Sequence, residues 1–365
     1  MADIRINMHS DTQSRPTPGM KEAMMAAELG DEQSMTDPTT IRLGETVAEL
    51  LGKEAAVLMP SGTMCNIAAI AVHCRTGDEI ICDRTSHIIN AESGALAMFG
   101  AMVRPLDGRN GIYGPDQLEE AIRPSRRHAP RSRLVEVEQT SNAGGGTVWP
   151  LETVRAVAEV AKKHGLALHM DGARLMNAVV ATGVPAGHQA APFDSVWIDL
   201  SKGLGCPIGG VLAGSTEFIH EIWRWKQRLG GAMRQSGVIA AAGLYALENH
   251  VDRMAEDHAN ARVFAERVAN LPGISVDLDT VQTNMIFFDV SRSGISAPAM
   301  QMGLEERGVR ITAVSQRRLR AVTHLDVSSA DVEEAADAVR AVLEEMPGDA
   351  PGHAETRPAR SEQVL

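Results

Sequence analysis

Asp171 and Lys202 are the two residue types from which a protein can build an electron sink, and they stand 202 − 171 = 31 positions apart. Asp171 closes the apolar run LALHMD (166–171) and is followed by Gly172-Ala173-Arg174. Lys202 follows SVWIDL (195–200) and precedes the Gly-rich stretch GLGCPIGG. An aspartate at a strand end can simply cap the next helix. It can instead stay ionised against a pyridinium nitrogen and keep a heteroaromatic ring protonated. A lysine at a strand end is ordinarily just solvated. Buried near other cations, it gives up its proton and attacks a carbonyl to form a Schiff base. At one edge of one sheet the pair suits a pyridoxal phosphate enzyme.

PSGTMCN (60–66) lies between a strand and a helix. A Gly/Ser/Thr turn at a helix start presents N–H groups and hydroxyls to a phosphate, although many strand-to-helix loops look alike. The stretch does not fit G-x-x-x-x-G-K-[ST], and no G-x-G-x-x-G follows a strand. His87, after ICDRTS, reads either as an exposed or helix-capping histidine or as a ring stacked on a cofactor and able to carry a proton. The twelve histidines form no H-E-x-x-H or other tight cluster, so no metal site is expected.

The elements that must position these residues alternate. AAVLM (55–59), EIICD (79–83), RLVEVE (133–138), LALHMD and SVWIDL read as strands. Helices follow from GTMCN, from Ser86 and from LETVRAVAEVAKKHG, the last stopping at Gly165. Such alternation indicates βαβ units and a mostly parallel sheet, whose ligands sit beyond the carboxyl ends of the strands. Gln235 to about Ala269 reads as one long helix. After LPG (271–273) short strands and helices from 296 and 328 suggest a smaller α+β domain. The expected division is an N-terminal arm (1–14) joining the active site, a large α/β domain (15–250), a small domain (251–346) and a disordered Pro/Gly-rich tail (347–365).

With 365 residues, 44% of them hydrophobic, the chain can bury a substantial core. The charge balance, 35 − 47 = −12, argues against nucleic acid or an anionic membrane as the main partner. Cys65, Cys74, Cys82 and Cys206 show no C-x-x-C pairing and read as reduced thiols in a cytoplasmic protein. MADIRINMHSD has no apolar signal core, and no run approaches the ~20 apolar residues that span a bilayer.

Taken in chain order, SDTQSRPTPGM, GKEAAVLMPSGTMCN, SHII, HMDGARLMNA, LSKGLGCPIGG, LGGAMRQSG, VQTNMIFF and LRAVTHLDVS give the chain a resemblance to the L-threonine aldolase, or β-eliminating lyase-like, group of fold-type I pyridoxal phosphate enzymes. The resemblance spans nearly all of the folded chain. It implies an α/β fold with a mostly parallel large-domain sheet and a smaller α+β domain. The implied activity is that of an aldehyde-lyase, cleaving a β-hydroxy-α-amino acid to glycine and an aldehyde. Lys202 would carry pyridoxal phosphate, Asp171 would pair with its ring nitrogen, and His87 would stack on the ring. Gly62 and Thr63 would bind the phosphate, and Arg234 would reach the phosphate of a neighbouring subunit. Ser10, Arg174 and Arg320 would hold the substrate carboxylate, a task suited to the planar fork of arginine. The assembly implied is a homodimer or homotetramer with shared sites.

The departures from that family lie near the substrate. SMTDP places Ser34, Met35 and Thr36 where the family has Tyr-Gly-Glu, and Ala91 replaces a tyrosine. EQTSN (138–142) places Ser141 where the family has a histidine that handles the hydroxyl proton. A serine is no base near neutral pH without help. The expectation is therefore an aldolase acting on a threonine-like amino acid other than threonine itself, with His87 or water as base. The alternatives are β-elimination, racemisation or transamination on a related amino acid, and then a non-catalytic protein of the same fold.

Overall fold

The computed structural model describes residues 3–345. The expected disordered tail, 347–365, lies outside the described residues. The chain divides into two compact units, one within Arg15–Asp252 and the other within Met1–Ser14 and Arg253–Leu365. In chain order the strands are β1 (Ile6–Asn7), β2 (Ala55–Met59), β3 (Asp78–Asp83), β4 (Met102–Leu106), β5 (Arg131–Glu138), β6 (Ala167–Gly172), β7 (Ser195–Asp199), β8 (Gly210–Gly214), β9 (Ser275–Val276), β10 (Met285–Asp289), β11 (Val309–Arg310), β12 (Thr312–Ala313) and β13 (Arg318–Val322).

The larger unit is built on a seven-stranded sheet of order β2-β8-β7-β6-β5-β3-β4. Neighbours from β4 through β7 are parallel, and β8 is antiparallel to both β7 and β2. Only β8 therefore runs against the rest, and the carboxyl ends of β2, β3, β5, β6 and β7 share one edge. β7 and β8 are buried at every position, as expected of strands covered on both faces. Val57, Met59, Cys65, Ala68, Trp197, Leu212, Phe218 and Ile222 form one apolar layer between the sheet and the helices Gly62–His73 and Thr216–Arg228.

Two strands escape the sequence pattern. β4 contains Pro105 and is tolerated because it lies at the edge of the sheet. β8 begins and ends on glycine. A side chain on Gly210 would lie 3.1 Å from the Ile198 carbonyl and 3.2 Å from Cys65 Sγ, so this strand is glycine because its neighbours come close. The long helix expected from Gln235 is in fact two, Gly237–Asn249 and Met254–Ala269. No proline or glycine marks the break. At the end of the first helix the His250 ring lies 2.7 Å from the Leu204 carbonyl, a tertiary bond with no local signature.

In the smaller unit, the sheet β12-β13-β10-β9 is antiparallel. It is packed with the helices Met254–Ala269, Ala297–Glu306 and Ser329–Glu345 around Phe264, Phe288 and Val339. The N-terminal segment belongs here: β1 pairs with β11, and the Val322 amide donates to the Met8 carbonyl.

Candidate active site

β2 ends at Met59 and passes through Pro60 into the helix Gly62–His73. Ser61 caps it, its hydroxyl accepting from the Met64 amide at 3.2 Å and its carbonyl from Cys65 at 3.1 Å. The amides at the very start, those of Gly62 and Thr63, are then the ones a phosphate can take. Glycine at 62 is required by packing, since a Cβ there would stand 2.2 Å from Trp197 Cη2.

β6 and β7 are neighbours, with Asp171 opposite Trp197, so Asp171 and Lys202 arise from the same edge of adjacent parallel strands. Asp171 is buried. Its Oδ1 accepts from the Ala173 amide at 3.0 Å, and its Oδ2 from Asn66 Nδ2 at 2.7 Å. Both readings of this aspartate thus have a basis: it caps the turn that follows, and it presents an oriented carboxylate. Lys202 Nζ lies 3.1 Å from Asp199 Oδ2 and 5.9 Å from the centre of the Trp197 ring.

His87 opens the helix expected there, a short one of four residues, His87–Asn90, with Ser86 at its N-cap. Its amide donates to Glu138 Oε2 at 2.8 Å, and its Nδ1 lies 2.9 Å from Glu92 Oε1. Glu92 Oε1 also accepts from Asn66 Nδ2 at 2.7 Å. The other oxygen of Glu138 accepts from the Asn142 amide at 2.8 Å, so this carboxylate joins the His87 turn to the segment bearing Ser141.

These acids are buried together, and burial is the largest influence on each. It raises Glu92, against hydrogen bonds from His87 and Asn66. It raises Glu138 to about 7, with the charge of Asp171 adding to the effect. Burial by itself would lower His87, but the Glu92 hydrogen bond and the charges of Asp171, Glu92 and Glu138 outweigh it and raise the imidazole above its ordinary value. Since both partners are raised, the His87–Glu92 pair holds its proton to higher pH than a free imidazole does.

Arg174 is buried directly after the Asp171 turn, its amide donating to the Gln139 carbonyl at 3.0 Å. Ser141 is buried, and its hydroxyl would stand 1.8 Å from a Cβ on Gly111 and 2.5 Å from one on Gly144. Arg234 is exposed and pairs with Asp31 at 3.2 Å. Ser10 and Arg320 belong to the smaller unit, where Arg320 donates to the carbonyl of His9, the residue before Ser10, at 3.3 Å.

Residues 7–291 match the beta-eliminating lyase family. The chain is 40% identical over 334 residues to low-specificity L-threonine aldolase 1 of Arabidopsis thaliana, covering 90% of this chain and 93% of that protein. It is 41% identical over 340 residues to the low specificity L-threonine aldolase of Escherichia coli K12, covering 93% and 99%.

The chain belongs to the beta-eliminating lyase family.

A solved structure of Leishmania major threonine aldolase superposes with a TM-score of 0.79 at 17% identity, covering 93% of this chain and 99% of that one, a likeness of fold. The site also contains residues that sequence reasoning passed over: Asn66, Glu92, Glu138 and His169. Asn66 closes the PSGTMCN stretch, one helical turn after Gly62 on the same face. His169 is two residues before Asp171, on the same side of its strand. Sequence spacing also gave no metal cluster, yet His87, Glu92 and Asp171 each place a ligand atom within 4.8 Å of the others. A fixed N–H donor, the Asn66 amide, faces both carboxylates, which is a hydrogen-bonding arrangement rather than a cation's.

Proposed function

We propose that this chain is a pyridoxal phosphate-dependent aldehyde-lyase that cleaves a threonine-like β-hydroxy-α-amino acid between Cα and Cβ, releasing glycine and an aldehyde. The observation that carries this reading is the origin of Asp171 and Lys202 from one edge of adjacent parallel strands. It stands in a chain 40% identical to a low-specificity threonine aldolase over nine-tenths of its length. The donor set fits the cofactor: an amine for its carbonyl, a buried carboxylate oriented by two N–H donors for its ring nitrogen, and a helix start for its phosphate.

When bound, pyridoxal phosphate supplies an electron sink for the pair left on Cα as the Cα–Cβ bond breaks. In this reading Lys202 holds it, Asp171 keeps its ring nitrogen protonated, His87 covers its face, and Gly62 and Thr63 take its phosphate. Arg174 holds the substrate carboxylate, a role the family resemblance also gives Ser10 and Arg320. Glu92 accepts at the Nδ1 of His87, and this leaves Nε2 as the atom that takes the β-hydroxyl proton. Ser141 precedes Asn142, whose amide donates to Glu138, and would shape the pocket from there. Its replacement of the family histidine points to a substrate other than threonine.

Arg234 is exposed on its loop, which supports a homodimer or homotetramer in which it reaches a neighbouring subunit's phosphate. The four cysteines are buried and unpaired, in keeping with a cytoplasmic protein. Among the described residues no helix is long and apolar enough to cross a membrane.

A second reading, β-elimination, is favoured by Ser141 alone. One experiment separates the two. The protein, loaded with pyridoxal phosphate, is incubated with threonine, allo-threonine, phenylserine and β-hydroxyaspartate, and glycine is quantified against 2-oxo acid by mass spectrometry. Glycine that disappears in Lys202→Ala is the expected result. Oxo acid without glycine overturns the aldolase in favour of elimination.

A further inference from the structure

A chain of hydrogen bonds runs along one face of the sheet, from the end of the helix Gly62–His73 to Asp171. His73 Nε2 lies 2.8 Å from Ser195 Oγ, and Ser195 Oγ lies 2.8 Å from His169 Nδ1. His169 Nε2 lies 3.1 Å from Asn66 Oδ1. Asn66 Nδ2 lies 2.7 Å from both Asp171 Oδ2 and Glu92 Oε1. Asn66, His169 and Ser195 have essentially no exposed surface.

The direction of each bond can be deduced. Trp197 Nε1 can only donate, and it lies 2.7 Å from Asn66 Oδ1. That fixes the Asn66 oxygen as acceptor and turns both of its N–H groups toward the two carboxylates. His169 must then donate from Nε2. Burial pushes the His169 imidazole down to about 3 and that of His73 to about 4, so both rings are neutral and each carries one proton. His169 Nδ1 therefore accepts the Ser195 hydroxyl proton, and the Ser195 oxygen accepts from His73 Nε2. Every donor points the same way, and aligned bonds in a low-dielectric interior polarise one another.

We infer that Asn66, with His169, Ser195 and His73 behind it, is a positioning relay that aims the Asp171 carboxylate, so that a ring nitrogen placed against it stays protonated. The inference rests on the proposed pairing of Asp171 with pyridoxal phosphate. None of the four touches the reacting atoms. Asn66 acts through Asp171, and the other three act by bringing a second, polarising donor to the Asn66 oxygen that Trp197 already orients. Asn66 also joins Asp171 to Glu92, and through it to His87, so the acid at the ring nitrogen and the proposed base share one anchor.

The test reads the cofactor nitrogen directly. The protein is loaded with pyridoxal phosphate labelled with ¹⁵N in the ring, and the nitrogen chemical shift is recorded for the unaltered chain, Asn66→Ala, His169→Phe and His169→Gln. The unaltered chain is expected in the protonated range. Asn66→Ala should move the signal toward the unprotonated range and weaken cofactor binding about ten-fold, the size of one lost charge-assisted hydrogen bond. His169→Phe should move it the same way. His169→Gln, whose amide can still donate to Asn66, should restore it. An unmoved signal in a folded Asn66→Ala protein overturns the relay and leaves the functional reading standing. Failure of the unaltered chain to bind pyridoxal phosphate overturns both. Histidine ¹⁵N spectra of the cofactor-free protein give a check that no variant's folding can confuse: His73 and His169 must both carry their proton on Nε2, and a proton on Nδ1 of either overturns the assignment.

Discussion

The indole of Trp197 occupies the space in which a side chain on Gly62 would stand, 2.2 Å from Cη2. That contact ties the start of the helix Gly62–His73 to β7, the strand that leads to Lys202. Gly62→Ala should therefore overpack the joint and cost about 1–3 kcal/mol of stability. It should also weaken pyridoxal phosphate binding, because the helix start moves. Urea unfolding of the cofactor-free protein and a cofactor titration check the two effects separately; an unchanged midpoint would mean that the indole gives way freely.

Glu32 and Lys226 form a fully buried ion pair. The second Glu32 oxygen accepts from the Met233 amide at 2.6 Å, and the Glu32 amide donates to the Arg234 carbonyl at 2.9 Å. Burial lowers Lys226, and the Glu32 carboxylate opposes this. Glu32→Ala leaves a buried ammonium without its partner and should cost about 3–5 kcal/mol, whereas replacing both residues with methionine should cost much less. A double-mutant cycle by denaturant unfolding checks this, and equal costs for the single and double changes would refute it.

The pH dependence follows from His87. Its proton is held above the ordinary imidazole range by the Glu92 hydrogen bond and the charges of Asp171, Glu92 and Glu138, against burial. A base must be unprotonated, so kcat/KM for cleavage should rise with pH through a limb lying above about 6.5. Glu92→Gln removes one of the groups that hold the proton and should shift this limb to lower pH. A limb that stays in place in the variant would exclude His87 as the titrating base.

Ser141 stands where the family pattern has histidine, and its hydroxyl is hemmed by the backbone of Gly111 and Gly144. Restoring the histidine should not restore a base. Ser141→His should instead lower stability by about 1–3 kcal/mol and leave glycine formation no faster. Thermal melting together with product quantification decides it: faster cleavage at unchanged Tm would mean that the pocket accepts an imidazole and that Ser141 is drift.

Much of the architecture could be read from the chain because its strands are short apolar runs between helical periods. The runs at 55–59, 79–83, 133–138, 166–171 and 195–200 all lie within one residue or two of observed strands. Where the reading went astray, the cause was not local. β8 is glycine-bounded because Ile198 and Cys65 crowd one end and Phe218 and Asp194 the other, and the helix break before Arg253 carries a histidine bond to a carbonyl 46 residues away.

By itself, the sequence determined the α/β pattern and the placing of Asp171, Lys202, His87 and Gly62 at the ends of their elements, because strand and helix periods and glycine positions are properties of neighbouring residues. Only the tertiary structure decided what surrounds them. Asn66 meets Asp171 across 105 positions, and His87 meets Glu138 across 51. Which way an amide faces, and which carboxylates lose their water together, depends on parts of the chain that meet only when the sheet closes over them.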